Sequence, residues 1–354
     1  MSGHEAMFSD SDLAYQDAML GNVSRTFALT IPQLPGHLRV VVGNAYLLCR
    51  IADTIEDSDA LGLDEKKRFY AEFVSVLEGA CSPETFGPAL AERLRSPTTA
   101  AERDLVRNTA RVLAITNRLS ERERGALVRC VRIMSRGMEE FQRSNVVHGL
   151  RDLEQLNAYC YHVAGVVGEM LTELFCAYSP RIASFKETLS HLAVSFGQGL
   201  QMTNILKDIW DDRDRDMCWL PRGVFAHEGF DLRALSEHDG PNPGFRQGLE
   251  CLVGITLAHL EHALDYALAI PKSERGVRRF CLWAIGMAVL TLRKLNKNPH
   301  FTSGKQVKIT RRSVKGTMLI TALFGFSNRL LRLVFRIAAS GLPRAIVAPA
   351  RSWG

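Results

Sequence analysis

Proline spacing limits most strongly how this chain can fold. Prolines occur toward both ends of the chain, but none lies between Pro97 and Pro180. Apolar residues recur at helical spacing, as at Phe69 and Phe73, whereas the strict alternation typical of strands is scarce. Because a proline-free stretch of this length suits helices joined by short turns, we expect one all-α domain of roughly ten or more helices, without internal repeats.

The stretch from Gln201 to Leu220 carries two carboxylates at helical spacing. Asp208 and Asp212 lie one turn apart on the same face of a helix, and Asn204 lies a turn earlier on that stripe. Like charges so placed repel each other unless a cation lies between them. Such oxygen ligands suit Mg²⁺, although an isolated pair of this spacing is also typical of a solvated acidic helix end.

A second acidic pair upstream favours the metal interpretation. Asp53 and Asp57 follow an apolar run that predicts a helix beginning near Gly36, and Arg50 lies one turn before the acids. Two such clusters on separate helices could hold one anionic group, such as a diphosphate, from opposite sides. The candidate Mg²⁺ ligands are Asp53, Glu56, Asp57, Asn204, Asp208 and Asp212.

Composition excludes several other classes of protein. With 46% hydrophobic residues and a net charge of +6, the chain is expected to be globular, and its dispersed basic residues argue against a nucleic-acid groove. Its eight cysteines are scattered singly, which predicts reduced thiols rather than disulfides or a zinc site. The polar N-terminus lacks the features of a secretory signal, so we expect a cytoplasmic protein.

Two segments allow both a structural and a functional interpretation. Ser24 could cap a helix, and Arg25 beside it could reach a phosphate through its planar guanidinium. Tyr159 begins a segment in which Gly165 and Gly168 would let another helix or a flat apolar ligand approach closely. The Tyr159 hydroxyl could be satisfied within the core, or it could face a carbocation or a leaving group.

Two further patterns concern possible binding sites. His259 and His262 lie one turn apart but lack an evident third metal ligand, so a solvated helix face is favoured over a metal site. The charged segment from Arg213 to Arg222 follows the second acidic pair, and a loop through Asp239–Gly244 comes after it. A mobile lid over a diphosphate could form there.

The end of the chain permits two interpretations. The uncharged run 316–328 is too short to span a bilayer. From Leu330 to Ile337, apolar residues and arginines form a basic amphipathic pattern, which suits a helix lying on the cytoplasmic face of a membrane or a last helix that closes the bundle. We therefore expect an N-terminal segment 1–20, a catalytic domain 21–315 and a tail 316–354.

Four ordered motifs resemble those of the squalene and phytoene synthases. They are Val23-Ser-Arg-Thr-Phe27, Asp53-Thr-Ile-Glu-Asp57, Tyr159-Cys-Tyr-His-Val-Ala-Gly-Val-Val-Gly168 and Asn204-Ile-Leu-Lys-Asp208-Ile-Trp-Asp-Asp212. The resemblance implies a single-domain isoprenoid synthase bundle of helices around a central cavity that holds two farnesyl diphosphates and Mg²⁺. Phe280-Cys281 and Val307-Lys308-Ile309 are most similar to squalene synthases, although Lys207 stands where an arginine is usual.

The resemblance also implies a reaction in sterol or hopanoid biosynthesis. Two farnesyl diphosphates condense head to head through presqualene diphosphate, which NADPH then reduces to squalene. Ionisation requires neutralisation of the departing oxygens, and no protein nucleophile is needed. The expected catalytic residues are Tyr46, Arg50 and Tyr159, the substrate contacts Ser24, Arg25, Phe27, Val163, Gln201, Asn204, Lys207 and Phe280, and the NADPH contacts Lys308 and Arg311.

Two alternatives remain open. A phytoene or dehydrosqualene synthase would run the same condensation without NADPH, whereas a non-catalytic prenyl-lipid-binding factor would tolerate loss of the acids. Both acidic pairs are intact, which favours an enzyme, and we expect it to act as a monomer.

Overall fold

Helices account for almost all regular structure in this protein. The computed structural model describes residues 8–24, 26–95, 98–143, 146–237 and 242–353, which contain no β-strand and only an isolated bridge between Leu150 and Pro221. The all-α prediction is confirmed. In chain order the helices are α1 (Asp10–Val23), α2 (Phe27–Thr30), α3 (Gly36–Glu56), α4 (Leu63–Leu77), α5 (Pro83–Arg93), α6 (Ala100–Arg107), α7 (Thr109–Thr116), α8 (Glu121–Arg143), α9 (Leu153–Cys160), α10 (Val166–Tyr178), α11 (Pro180–Ala183), α12 (Lys186–Lys207), α13 (Ile209–Arg213), α14 (Arg222–His227), α15 (Pro243–Ala269), α16 (Arg275–Lys297), α17 (Gly304–Val307), α18 (Arg311–Phe324) and α19 (Asn328–Ala338).

The chain forms two compact units. The first consists of Met1–Arg143 and Met170–Ala183, and the second consists of Ser144–Glu169 and Ser184–Gly354. The boundaries expected at residues 20/21 and 315/316 fall inside α1 and α18, so neither separates the chain at the end of a helix. Within the described ranges, no helix has both the length and the apolar character needed to cross a bilayer.

Helix α3 is the main packing element of the first unit. It begins at Gly36, as the sequence predicts, and both α1 and α7 pack against it. Gln16 of α1 donates to the Val40 carbonyl at 3.1 Å. Buried Asn44 donates to the Val112 carbonyl at 2.8 Å and accepts from the Thr116 hydroxyl at 2.7 Å. These buried hydrogen bonds fix the rotation of α3 and therefore the direction of its acidic end.

Helix α12 is the main packing element of the second unit, as α3 is of the first. A π-helical turn, Tyr161–Gly165, joins α9 to α10 and packs against α12. A Cβ atom on Gly168 would lie 2.0 Å from the Ala193 carbonyl oxygen, and one on Gly197 would lie 2.0 Å from that of Ala164. The glycines therefore allow close contact between helices, which is one of the two roles expected for Gly165 and Gly168.

A buried arginine connects α15, α16 and α19. Arg278 of α16 is 2% exposed, and its Nη1 donates to the carbonyls of Ala267, Leu268 and Ile270 at the end of α15, the last at 2.6 Å. Its Nη2 donates to Asn328 Oδ1 at the start of α19 at 2.8 Å. Burial lowers the pKa of Arg278. The guanidinium thus satisfies carbonyls that the end of a helix leaves without partners.

The last residues contact the second unit without forming regular secondary structure. His262 Nε2 contacts the Val347 carbonyl at 2.9 Å, and the Ala350 amide donates to Ser195 Oγ at 2.8 Å. Ser195 also bonds His259 Nδ1 at 3.2 Å. The prediction of a solvated face is wrong for His259, which is 1% exposed and whose pKa burial lowers to about 4, with a smaller effect from His262.

Candidate active site

Predicted residues of the first unit lie together along α3. Tyr46, Arg50 and Asp53 occupy successive turns on one side of the helix. Arg50 Nη1 lies 3.7 Å from Asp53 Oδ2, and the Tyr46 ring centroid lies 5.0 Å from that of Phe27. The Tyr46 hydroxyl donates to the Val23 carbonyl at 3.3 Å. The segment around α2 is thereby joined to the helix that carries the first acidic cluster.

Ser24 bonds the first residue of the short helix α2, whose N-cap residue is Thr26. Its Oγ accepts from the Phe27 amide at 2.9 Å, a bond of the kind that the cap interpretation predicts. Burial raises the pKa of Tyr46, whereas a hydrogen bond with Ser24 and the charge of Arg50 lower it. Arg25 lies outside the described residues, so its phosphate contact stays a prediction.

Glu102 holds Arg50, and sequence reasoning missed it. Its Oε1 accepts from Arg50 Nη2, while its Oε2 accepts from the Thr99 amide at 2.8 Å and the Thr99 hydroxyl at 2.9 Å. Thr99 and Glu102 form the capping box of α6. The T-x-x-E pattern could have indicated the start of α6, but nothing in the sequence indicated that its glutamate reaches Arg50.

Asp53 lies among carboxylates that raise its pKa. Asp53 is 32% exposed at its side chain. Burial raises the pKa of Asp53 above its ordinary value, the charge of Arg50 lowers it, and Asp57 and Glu102 raise it further. Asp57 is exposed at the end of α3, where its amide donates to the Asp53 carbonyl at 2.8 Å. A bound cation would stabilise such a cluster of negative charges.

Glu56 and Tyr70 complete the surroundings of this cluster. The Glu56 carbonyl accepts from Lys66 Nζ at 2.6 Å and from Gln142 at 2.9 Å, which fixes the end of α3. Tyr70 is 2% exposed, and its hydroxyl has no hydrogen-bond partner among the described residues. Burial raises the pKa of Tyr70, and Glu56, Asp53 and Asp57 raise it further, so this hydroxyl is a neutral donor close to the acids.

The second acidic cluster lies at a break between two helices. α12 ends at Lys207 and α13 begins at Ile209, because Asp208 departs from helical geometry at φ −101° and ψ 13°. The Asp208 amide still donates to the Asn204 carbonyl, and the Asp212 amide to the Asp208 carbonyl, both at 2.8 Å. The one-turn spacing expected for these three residues therefore persists across the break.

Fixed cations neutralise the second cluster in part. Lys207 Nζ lies 2.9 Å from Asp208 Oδ2 and 3.4 Å from Asn204 Oδ1. Arg215 Nη2 lies 2.6 Å from Asp212 Oδ1, and the Asp212 side chain is 11% exposed. Burial raises the pKa of Asp208, Lys207 lowers it, and the neighbouring charge of Asp211 raises it. Lys207 therefore lies beside the acids. In the family that this chain resembles, an arginine is usual at this position of the motif.

Gly304 lies against two carboxylates of this cluster. A Cβ atom on Gly304 would lie 2.9 Å from Asp211 Oδ2 and 3.0 Å from Asp208 Oδ1. The two oxygens therefore converge on a space that a side chain would fill. Sequence reasoning missed both Asp211 and Gly304; the position of Asp211 beside Asp212 was a signal for the first, and none existed for the second.

These oxygen donors fit a divalent cation that is only partly bound by protein. Among the described residues, no group of three or more His, Cys, Asp or Glu side chains is placed to hold a metal ion. Mg²⁺ keeps several waters and commonly binds through one or two carboxylates together with substrate phosphates. The paired carboxylates Asp208 and Asp211 suit that mode of binding.

The predicted apolar contacts of the second unit are buried. Tyr159 is 4% exposed and stacks on Trp219, with ring centroids 3.8 Å apart and planes 6° from parallel. Val163 is 8% exposed and Phe280 is 2% exposed. Gln201 is half-buried on α12. The stacking fixes the Tyr159 ring, and a catalytic role for its hydroxyl stays a prediction.

The charged segment after α13 is tied to the start of the second unit. The Cys218 amide donates to the Val146 carbonyl at 3.1 Å, and the Leu150 amide donates to the Leu220 carbonyl at 2.9 Å. Arg213 Nη1 donates to the Val147 carbonyl. These bonds, with the stacking of Trp219, tie residues 213–221 to the second unit. Residues 238–241 of the following loop lie outside the described residues, and a lid stays a prediction.

The two residues expected to contact NADPH lie near the start of α18. Lys308 and Arg311 are both exposed. The Lys308 carbonyl accepts from Lys294 Nζ at 2.5 Å, which brings a third cation to this segment. Exposed cationic side chains suit the phosphate groups of a dinucleotide.

Curated relatives of this chain include squalene synthases. Squalene synthase R6 of Phoma sp. is 29% identical over 297 residues, covering 82% of this chain and 67% of the relative. Squalene synthase ERG9 of Candida albicans is 30% identical over 302 residues, covering 84% of this chain and 64% of the relative. The chain thus spans about two thirds of the length of these relatives.

The solved structures share the helical fold. TcSQS in complex with the ligand BPH1237 has a TM-score of 0.76 at 23% identity, covering 93% of this chain and 92% of that chain. A dehydrosqualene synthase in complex with a ligand has a TM-score of 0.63 at 20% identity, covering 90% and 97%. The profile of the squalene/phytoene synthases matches residues 20–313, so this chain belongs to the squalene/phytoene synthase family.

Proposed function

We propose that this protein is a squalene synthase, a prenyltransferase that joins two farnesyl diphosphates head to head and reduces the product with NADPH. The observation that carries the proposal is the pair of acidic clusters, each with an aspartate beside a fixed cation, in a chain whose curated relatives include squalene synthases. A factor that only binds prenyl lipids would not need either cluster.

Both acidic clusters serve the departure of diphosphate. When bound by these carboxylates, Mg²⁺ supplies charge neutralisation on the departing oxygens. Arg50 keeps its positive charge, because Asp53 and Glu102 raise its pKa although burial opposes them. Arg50 orients Asp53 in the first cluster, and Lys207 orients Asp208 in the second.

The carbocation must meet the second prenyl chain before it meets water. Apolar and aromatic side chains are required for this, since they exclude water without offering a nucleophile. We assign this role to the apolar and aromatic residues Phe27, Tyr46, Tyr159, Val163 and Phe280. Their burial, apart from the half-buried Phe27 and Tyr46, supports the assignment.

The reductive half of the reaction would use the cationic segment at the start of α18. Lys308 and Arg311 would bind the phosphates of NADPH, with Lys294 fixing the Lys308 main chain. We place the enzyme in the cytoplasm, since all eight cysteines are free thiols and free thiols persist in a reducing compartment. Its monomeric state stays a prediction.

Product analysis with and without NADPH tests the proposal. The full chain is incubated with farnesyl diphosphate and Mg²⁺, and the hydrocarbon product is identified by mass spectrometry. We expect squalene with NADPH and a different, unreduced product without it. The same product in both reactions would indicate a dehydrosqualene or phytoene type of synthase, and no release of diphosphate in either would refute an enzyme of this family.

A further inference from the structure

Helix α18 buries threonines and exposes leucines. Thr317 and Thr321 are 8% and 6% exposed, whereas Leu319 and Leu323 are 61% and 54% exposed. The buried side packs on α16, where the Trp283 indole donates to Thr321 Oγ1 at 2.6 Å. A helix that faced water would place these residues the other way round.

Helix α19 repeats the pattern. Leu331 and Phe335 are buried, while Leu333 and Ile337, two residues further along in each case, are 49% and 61% exposed. Phe326 in the turn between the helices is 66% exposed. Both helices pack on α16, so each directs apolar side chains away from it. We call Leu319, Leu323, Phe326, Leu333 and Ile337 the outer apolar face.

Basic residues without acidic partners accompany this face. No acidic residue follows Glu274 in the sequence. Exposed cations on the two helices are Arg311, Arg312, Lys315, Arg329, Arg332 and Arg336. Arg332 pairs with Asp265 of α15 at 2.5 Å. In the described part of the chain, Arg312, Lys315, Arg329 and Arg336 form no ion pair.

Charge decides between the surfaces that could cover the outer apolar face. A second copy of this chain would bring the same cations and no acid from α18 or α19, so the two faces would repel each other. A nucleic acid would leave the leucines without apolar contacts. An anionic lipid surface offers phosphates to the cations and acyl chains to the leucines, which is the environment of an interfacial amphipathic helix.

We propose that α18 and α19 dock on an anionic lipid surface. Leu319, Leu323, Phe326, Leu333 and Ile337 enter the boundary between headgroups and acyl chains, and the unpaired arginines and lysine contact the lipid phosphates. The inference does not depend on the proposed reaction, because it uses no residue of the acidic clusters.

Vesicle binding of the full chain tests this inference. The protein is sedimented with vesicles of phosphatidylcholine alone and with vesicles of equal parts phosphatidylcholine and phosphatidylglycerol. We expect binding to the mixed vesicles that weakens as salt rises, and little binding to phosphatidylcholine alone. Equal binding to both, or no binding to either, would overturn the proposal.

Variants separate the apolar and the charged contributions. The double substitution Leu323→Gln with Ile337→Gln should lower vesicle partitioning roughly tenfold or more. Arg329→Gln with Arg336→Gln should lower partitioning to the mixed vesicles roughly thirtyfold, at about 1 kcal/mol per cation. Leu63→Gln in α4 is the apolar control, since Leu63 is 55% exposed.

A control for charge, and a test for a second copy of this chain on the outer apolar face, complete the experiment. Arg107→Gln with Lys272→Gln removes the same charge from exposed positions elsewhere, and it should retain partitioning. Circular dichroism checks that each variant keeps its helices. If the wild type instead forms a dimer without lipid, and Leu323→Gln with Ile337→Gln dissolves that dimer, a second copy covers the face and the proposal is wrong.

Discussion

Gly304 leaves room for carboxylates that a side chain would displace. A Cβ atom there would lie within 3.0 Å of oxygens of Asp208 and Asp211. Because the two shortest contacts are with carboxylates that we assign to the metal, and the Lys207 carbonyl lies slightly farther away at 3.1 Å, any shift should affect Mg²⁺ binding before it affects the fold. The position therefore tests the second acidic cluster without removing an acid.

We expect Gly304→Ala to raise the Mg²⁺ concentration required for half-maximal diphosphate release by roughly tenfold or more. Gly316→Ala is the matched control, since a Cβ on Gly316 would meet nothing within 4 Å. Titration of Mg²⁺ against activity, with isothermal calorimetry for binding, measures the effect. Identical Mg²⁺ requirements in the two variants would show that Gly304 has no part in the site.

Glu123 gives a pH-dependent contribution to stability. Its Oε1 contacts His37 Nε2 at 2.9 Å, and its Oε2 accepts from the Ser120 amide at 3.0 Å at the start of α8. Burial alone would raise the pKa of Glu123, but the hydrogen bonds from His37 and Ser120 prevail and lower it to about 2. Since the folded-state pKa is depressed, the stabilisation is present above the ordinary pKa of 4.5 and is lost as the pH falls toward 2.

Glu123→Gln should therefore lower the free energy of unfolding at neutral pH by about 1 kcal/mol or more. The difference from wild type should shrink as the pH falls from 5 toward about 2. Glu121→Gln, an exposed change in the same helical turn, serves as the control. Urea denaturation across this pH range measures the difference, and a gap that is constant with pH would contradict the assignment.

At the scale of helices, Arg278 connects the end of one helix to the start of another. Arg278→Met removes the guanidinium that donates to the carbonyls of residues 267, 268 and 270, of which that of Leu268 keeps a bond from Asn328 Nδ2 at 3.3 Å. We expect the free energy of unfolding to fall by roughly 2–4 kcal/mol. Arg279→Met, an exposed change one residue along α16, should have little effect. Urea denaturation compares the two, and equal midpoints would refute the capping role.

Some helices could be predicted and others could not. The proline-bounded apolar run predicted α3 and its start at Gly36, because both signals are local. The break at Asp208 was not predictable, because the sequence keeps helical spacing across it. The Asp208 and Asp212 amides still donate to the carbonyls four residues earlier. Contacts such as those of Gly197 with Ala164 or Glu102 with Arg50 join distant parts of the sequence, and no local pattern indicates such partners.

At the scale of the whole molecule, the motifs predicted the fold and the family correctly. The sequence also predicted that Arg50 would lie one turn before the acids on the same helix, because their spacing is helical. It predicted an amphipathic end of the chain, but not which side of α18 would be exposed. That depends on Trp283 and Gly286 of α16, which accommodate threonines where leucines would be expected.

The central claim is that both acidic clusters are needed to release diphosphate from a prenyl carbon. The most direct measurement compares the rate of that release, with farnesyl diphosphate and Mg²⁺, in wild type, Asp53→Asn and Asp208→Asn. Asp64→Asn and Asp214→Asn, at exposed positions of the same two units, are the controls. We predict a fall of roughly a hundredfold or more in each cluster variant, with unchanged helical content and near wild-type controls. Full activity in either Asp53→Asn or Asp208→Asn would contradict the claim.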